Sequence, residues 1–305
     1  MRRLFILLIP FMFVFLWSTG FIAAKYALPF VEPFVFLLIR MILTIAAFFL
    51  LCQIFRAERL TRRQAGHQMM AGLLIHGTYL GGVFAAIKWG MPAGITAIVV
   101  GVQPVLTAAV GRFWLGESLR RVQWLGLMLG LTGVTTVLLS SNRPDTFEFS
   151  WPATLAALMA LVGISLGTLY QKRFGKNINL LAGSLYQYIS TALLMALLAG
   201  IFETWHIVWD IQLILALAWL VFGISVIAIL LLMYMIREGE TARVVSYFYL
   251  VPPVAAIEAW LLFDETLTIP GICAMVVTVF GVYLVTKKQS VLQKSSGRLI
   301  SENSK

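Results

Sequence analysis

Residues 104–119 read PVLTAAVGRFWLGESL and residues 252–267 read PPVAAIEAWLLFDETL. Each stretch opens on a proline, Pro104 or Pro252, runs on as an apolar segment and closes on an acidic turn. That turn is Gly116-Glu117-Ser118-Leu119 in the first and Asp264-Glu265-Thr266-Leu267 in the second. Sliding the chain on itself by 148 residues without gaps also brings Ala108 onto Ala256, Gly133 onto Gly281 and Val134 onto Val282. A single offset that aligns features this far apart means one structural plan written twice.

Outward from this pair, the chain is a succession of apolar runs of roughly 20 residues, the length an α-helix needs to cross ~30 Å of hydrocarbon. Of the 305 residues 60% are hydrophobic and only 12% charged, and mean hydropathy is +0.92. Such a chain is not a soluble domain, in which about a quarter of residues are charged. The runs predict spans at 5–24, 33–53, 68–87, 94–114, 122–140, 152–171, 180–201, 212–235, 244–263 and 269–286. Pro29 and Pro33, Pro92 and Gly94, Asn142 and Pro144, and Pro270 mark breaks between them. The expected fold class is an all-α membrane protein of ten transmembrane helices. Five helices per copy is an odd number, so the second copy enters the membrane from the opposite side, and the two are inverted five-helix repeats, 5–140 and 152–286. Residues 287–305 form a polar tail without apolar periodicity.

The net charge of +10 lies in the connections. An N-terminus inside the cell puts almost every Lys and Arg in the cytoplasm, leaving Lys25, Lys88 and Arg143 outside and Arg40 within the membrane. Both termini are then cytoplasmic, and the basic balance is explained by topology, with no nucleic acid as partner. Trp89, Trp151, Trp205 and Trp209 fall at the outer ends and Trp114 and Trp124 at the inner ends, as interfacial aromatics do. The opening Met1-Arg2-Arg3 and apolar stretch to Gly20 have the form of a signal peptide, but the repeat needs this segment as its first helix. Cys52 and Cys273 lie within apolar runs and have no metal or redox spacing.

With Trp17-Ser18-Thr19-Gly20 in the first helix and the two Pro…Gly/Asp-Glu-x-Leu segments, the chain resembles the EamA family of the drug/metabolite transporter superfamily, whose members carry two five-helix EamA domains. The resemblance covers roughly residues 5–286. It implies export of amino acids or other metabolites across the bacterial inner (plasma) membrane. The second copy departs from the pattern at Ser165, where the first has Trp17, and at Asp264, where glycine is usual.

Polar groups inside a membrane are costly and tend to face a bundle interior, so they are the candidates for a transport path. Arg40 and Glu258 both lie roughly 10 Å in from the outer ends of their helices. They are expected to form an ion pair or the two poles of a site for a zwitterion, with Glu258 a candidate proton carrier. Their repeat positions hold Tyr188 and Val110, so the charges are not a duplicated structural feature. The alternative is that Arg40 snorkels to the interface and Glu258 is solvated near its helix end. Polar stripes run along the seventh helix, with Ser184, Gln187, Tyr188 and Thr191, and along the fourth, with Thr96, Gln103 and Thr107. His76 and Tyr79 share a face of the third, and Trp17, Tyr170 and Tyr247 supply aromatic surface. Taken singly, each stripe residue serves as well as interhelical hydrogen-bonding glue; as a set they line one cavity.

Glu117 and Glu265 sit just before the fifth and tenth helices, where a carboxylate suits a helix N-terminus, and their role is structural. Gly126 and Gly130, like Gly77 and Gly81, have GxxxG spacing, which serves a contact within one copy or a homodimer equally. No Walker sequence, GxSxG elbow or HExxH occurs, and His67, His76 and His206 are scattered, so no enzyme chemistry, metal or cofactor is indicated. The partners expected are a small-molecule substrate and membrane lipid. The function read from the chain is secondary export of amino acids or related small metabolites by alternating access, with efflux of cationic drugs as the alternative.

Overall fold

The computed structural model describes residues 2–91, 96, 99–116, 119–141, 150–238, 241–251, 253–254, 257–258, 261 and 269–286. Their helices are α1 (Arg2–Ala27), α2 (Pro33–Ile54), α3 (Arg62–Lys88), α4 (Gln103–Trp114), α5 (Arg121–Ser141), α6 (Trp151–Phe174), α7 (Leu180–Phe202), α8 (Ile211–Glu238), α9 (Thr241–Ser246, continued by a tight turn Tyr247–Leu250) and α10 (Ile269–Thr286). Helices α2, α3, α6, α7 and α8 are each long and apolar enough to cross a membrane. The protein is an all-α, multi-span membrane protein. Glu117, Pro252, Glu265 and the tail 287–305 lie outside the described residues.

Several helices outrun their apolar windows because their ends are written in polar sequence. The third was expected over 68–87 but begins at Arg62. Thr61 caps it, its hydroxyl accepting from the Gln64 N–H at 3.3 Å while the Gln64 side-chain oxygen accepts from the Thr61 N–H at 3.0 Å. This reciprocal pair satisfies two otherwise free donors, and a hydropathy window passes over it. Ser150, Asn179 and Asp210 cap α6, α7 and α8 more simply, each side-chain oxygen accepting from N–H groups of the first turn. The expected 94–114 and 244–263 spans are described only in part, as α4 and as α9 with its following turn.

Two helices depart from α geometry in their middles. Leu73–Thr78 of α3 and Leu220–Ala228 of α8 are π-helical. The 148-residue offset carries 73–78 onto 221–226, so both irregularities occupy the same place in the repeat. A π-turn frees a backbone carbonyl from the helical ladder. In α3 the Thr78 hydroxyl takes up Leu73 O at 2.9 Å.

Packing follows the repeat. Helix α2 lies along α7 and α5 along α10, each pair being one position of the plan in its two copies; α1 packs on α8 as α6 packs on α3. Small residues make the closest approaches. A Cβ on Gly126 would stand 2.6 Å from the Gly281 carbonyl oxygen, and one on Gly130 would strike Tyr249. Gly77 and Gly81 meet Leu194 and Met195 of α7. Both GxxxG pairs are therefore occupied inside this chain, and at Gly126, which faces the Gly281 backbone, and Gly130, which faces the Tyr249 ring, the approach has no room for a Cβ.

Candidate functional site

The helix pairs enclose a cluster of buried polar groups beside the two π-turns. Arg40, on the buried face of α2, is 4% exposed and donates from Nε to the Ser225 hydroxyl at 3.0 Å. Ser225 stands within the π-turn of α8, and its carbonyl accepts from the Tyr188 hydroxyl at 3.0 Å. Tyr79 and Tyr188 lie close enough to the guanidinium to interact with its charge, as does His76. Trp17 lies beside Tyr79. The Tyr188 ring is sandwiched, with His76 stacked at 4.5 Å and 14° and Phe48 at 5.6 Å and 22°. A guanidinium buried in a membrane bundle without a carboxylate partner is costly. It is held here by one hydroxyl and a ring of aromatic hydroxyl and imidazole groups, and among the described residues its terminal nitrogens make no hydrogen bond.

Glu258 is also buried, but among the described residues Arg40 and Glu258 make no ion pair with one another. The Ser18 hydroxyl donates to Glu258 Oε1 at 2.7 Å, and Oε2 has no hydrogen-bond partner among the described residues. Beside Ser18 stands a trio of rings, Phe13, Trp17 and Phe248, with centroids 5.1–5.2 Å apart. A carboxylate with one free oxygen beside aromatic faces suits an ammonium group. The two charges are thus separate poles, and Trp17 belongs to both neighbourhoods.

The seventh-helix stripe faces inward as expected. Ser190 and Thr191 donate to the Met69 and Gly72 carbonyls of α3 at 2.8 and 3.1 Å, which is interhelical glue. Gln187 instead joins a side-chain network with His76, Gln68 and Gln171. Gln103 and Thr107 on α4 are buried, with Gln103 Nε2 and Thr107 Oγ1 unpartnered, and Pro104 is buried between them. Tyr247 is half-buried between the main core and the smaller one around α5 and α10.

Tyr170 does not join the Arg40 cluster. Near the C-terminal end of α6 it accompanies His67, whose Nδ1 is 2.7 Å from the Tyr170 hydroxyl, and packs on Phe174 at 4.6 Å and Trp114 at 6.3 Å. It lies four residues from the helix end, at interfacial depth. Ser18, Ser225, Gln68 and Gln171 were not anticipated. Their importance comes from cross-helix partners, for which a single hydroxyl or amide in an apolar run gives no signal. No group of three or more His, Cys, Asp or Glu residues suited to a metal occurs among the described residues.

At the end of the bundle carrying the α1–α2 and α7–α8 connections, two glutamates tie the halves together. The Glu203 carboxylate, beyond the C-terminus of α7, accepts from the Phe34 and Val35 N–H groups at 2.9 and 2.7 Å, capping α2. Glu32 accepts from the Thr204 and His206 N–H groups, and Lys88 lies 3.6 Å from both carboxylates. Burial works to raise the Glu32 pKa, but the hydrogen bonds from Thr204 and His206, with Lys88, outweigh it and hold it below 4.5. Val208 N–H donates to the Phe30 carbonyl at 2.8 Å, closing the same seam.

Comparison with known proteins places this geometry. The profile of the EamA-like transporter family matches residues 4–139 and 151–287. The chain is 25% identical over 298 residues to the uncharacterized transporter YvbV of Bacillus subtilis, covering 97% of this chain and 95% of that one. It is 31% identical over 219 residues to the uncharacterized inner membrane transporter YedA of Escherichia coli K12, covering 71% and 69%. It is 29% identical over 211 residues to a probable amino-acid metabolite efflux pump of Salmonella typhimurium, covering 66% and 70%. A solved crystal structure superposes with a TM-score of 0.77 at 24% identity over 92% of this chain and 95% of that one, a likeness of fold. The family is one of transporters and not of enzymes. With its helices paired copy on copy and its sequence matched over both halves, the chain belongs to the EamA-like transporter family, within the drug/metabolite transporter superfamily of small-molecule transporters.

Proposed function

We propose that the protein exports amino acids or related small metabolites across the bacterial inner membrane by alternating access. In this reading it has ten transmembrane helices in two inverted five-helix repeats, 5–140 and 152–286, with both termini in the cytoplasm. The exchange of partners between copies, α1 on α8 and α6 on α3, supports two halves that rock about a midplane site. The observation that carries the substrate reading is the pair of buried, separated poles. Among the described residues Arg40 is hydrogen-bonded through Nε, which directs its terminal nitrogens to a carboxylate, and Glu258, held by Ser18 through one oxygen only, offers the other to an ammonium. The likeness to proteins described as probable amino-acid metabolite efflux pumps supports the same class.

A second reading, efflux of a lipophilic cation, is favoured by the Glu258 pole and its rings alone. Flux of radiolabelled amino acids and cationic drugs in proteoliposomes, with and without an imposed pH gradient, separates the two. The exporter reading expects saturable amino-acid flux lost in both Arg40→Ala and Glu258→Gln. Flux of cations alone, indifferent to Arg40, would replace it with the second reading.

A further inference from the structure

Of the Trp17-Ser18-Thr19-Gly20 run of α1, the two poles account for Trp17 and Ser18 but not for Thr19 and Gly20. The Ser18 hydroxyl meets Glu258 Oε1 at 2.7 Å. The Thr19 hydroxyl donates to the Leu16 carbonyl at 2.7 Å, and its oxygen accepts from the Trp219 indole N–H of α8 at 2.8 Å. An indole nitrogen can only donate and the hydroxyl proton is already engaged, so the direction of this bond is fixed. Gly20 lies against Ile224, where a Cβ would stand 2.9 Å from Cδ1.

Trp219 and Ile224 belong to one piece of α8. Trp219 is the last residue before the π-turn Leu220–Ala228, and Ile224 lies within that turn next to Ser225. Ser225 accepts the Arg40 Nε bond at 3.0 Å. A single turn of α1 therefore grips the carboxylate pole through Ser18 and the support of the guanidinium pole through Thr19 and Gly20.

Packing does not demand the Thr19 bond. The 148-residue offset carries Thr19 and Trp219 onto Gly167 and Ala71, both buried and neither with a side chain able to hydrogen-bond. There α6 seats on the π-turn of α3 by close approach alone, a Cβ on Gly167 standing 2.6 Å from Ile75 Cγ1. The same helix contact is thus made twice, and the bond is added only in the copy whose π-turn holds the Arg40 guanidinium.

We infer that Thr19 is a positioning residue for the Arg40 pole. Through Trp219 it fixes the π-turn of α8, so that the Ser225 hydroxyl stands where Arg40 Nε needs it. Without the bond Ser225 drifts, the guanidinium is aimed less well, and solute binding weakens although Thr19 touches no solute. The inference rests on the reading that Arg40 holds the solute's carboxylate.

The test uses the full-length protein in two measurements. The first needs no solute: thermal unfolding midpoints in lipid nanodiscs for Thr19→Val, Ser225→Ala and the double variant. If Thr19 acts through Ser225, the double variant falls clearly short of the sum of the two single shifts, as contacts sharing one network do. Thr19→Val with Ser190→Ala, a hydroxyl that serves the α3–α7 contact, is expected to be additive. Full additivity of Thr19→Val with Ser225→Ala would overturn the inference, because Thr19 would then satisfy only the indole. Trp219→Phe removes the same bond from its other side and takes the place of Thr19→Val should that variant not fold.

The second measurement is counterflow of the radiolabelled amino-acid panel in proteoliposomes. Thr19→Val is expected to raise the half-saturating concentration about fivefold, one hydrogen bond's worth, with maximal flux kept within about twofold. Thr19→Ser, which keeps the acceptor, is expected to restore the wild-type value, and in a Ser225→Ala background Thr19→Val is expected to add nothing. A fall in maximal flux alone, or the full fivefold effect in the Ser225→Ala background, would overturn the inference. A sub-additive unfolding cycle in a protein that moves no amino acid would defeat the exporter reading and not the role of Thr19. Amino-acid flux with an additive cycle would do the reverse.

Discussion

A single hydroxyl decides how the buried guanidinium is held. Ser225→Ala removes the acceptor of the Arg40 Nε bond but keeps the carbonyl that receives Tyr188, so its effect isolates the charge. The expected loss is about 1.5–3 kcal/mol of stability, the range for a hydrogen bond to a charged group, and it is read from thermal unfolding in detergent. At the other pole, Glu258→Gln is expected to abolish amino-acid flux both with and without an imposed pH gradient, since a neutral amide no longer balances the solute's ammonium group. Exchange that survives while pH-driven transport is lost would make Glu258 a proton carrier and not a substrate pole. Arg40, Tyr188, His76 and Gln187 were readable in the sequence because charge, amide and ring side chains stand out within apolar runs. Ser18 and Ser225 were not, since a serine in such a run looks the same whether it holds a charge or packs as glue. Tyr170 was expected as aromatic surface of the same cavity and instead sits with His67, Phe174 and Trp114, because ring chemistry is visible in sequence but the neighbours a ring meets are set by helix pairing.

Among the elements, the α2–α7 and α5–α10 pairs and the contact of α3 with α7 carry the architecture. Gly72 lies against the Gln187 backbone with no room for a side chain. Gly72→Ala is therefore expected to cost at least about 1–3 kcal/mol, the usual penalty of overpacking, and to disturb the Gln187 network as well. Thermal unfolding in detergent checks the first effect, and amino-acid flux in proteoliposomes checks the second. A neutral result would mean that α3 and α7 are free to separate at that point. The five long helices α2, α3, α6, α7 and α8 were legible from apolar run length, whereas which helices pair was not, since the 148-residue offset names equivalent positions and not contacts. The early start of α3 was not, because the Thr61–Gln64 capping pair lies in a basic, polar stretch. Nor were the π-turns, since a shift from i→i+4 to i→i+5 bonding in α3 and α8 leaves no mark in composition. Yet these turns are what present Ser225 and His76 to the site.

For the molecule as a whole, the seam of Glu32, Glu203 and Lys88 closes one end of the bundle across the two halves. The folded-state pKa of Glu32 is depressed, so its contribution to the closed seam is present above 4.5 and lost as pH falls through the lowered value. Thermal stability of the wild type is expected to drop more steeply over that acidic range than that of Glu32→Gln; identical profiles would show that the seam does not hold this carboxylate's charge. Lys88, a third exposed, adds a contact that salt weakens. If the protein works by alternating access, as proposed, this end opens while the other closes, with the Arg40 cluster between them. The most direct measurement is counterflow: proteoliposomes preloaded with unlabelled amino acid, diluted into the same amino acid carrying a radiolabel, wild type beside Arg40→Ala. Export through one midplane site is expected to give transient accumulation of label in the wild type and none in Arg40→Ala. Accumulation that is equal in both, or absent from the wild type for every amino acid tried, would contradict it.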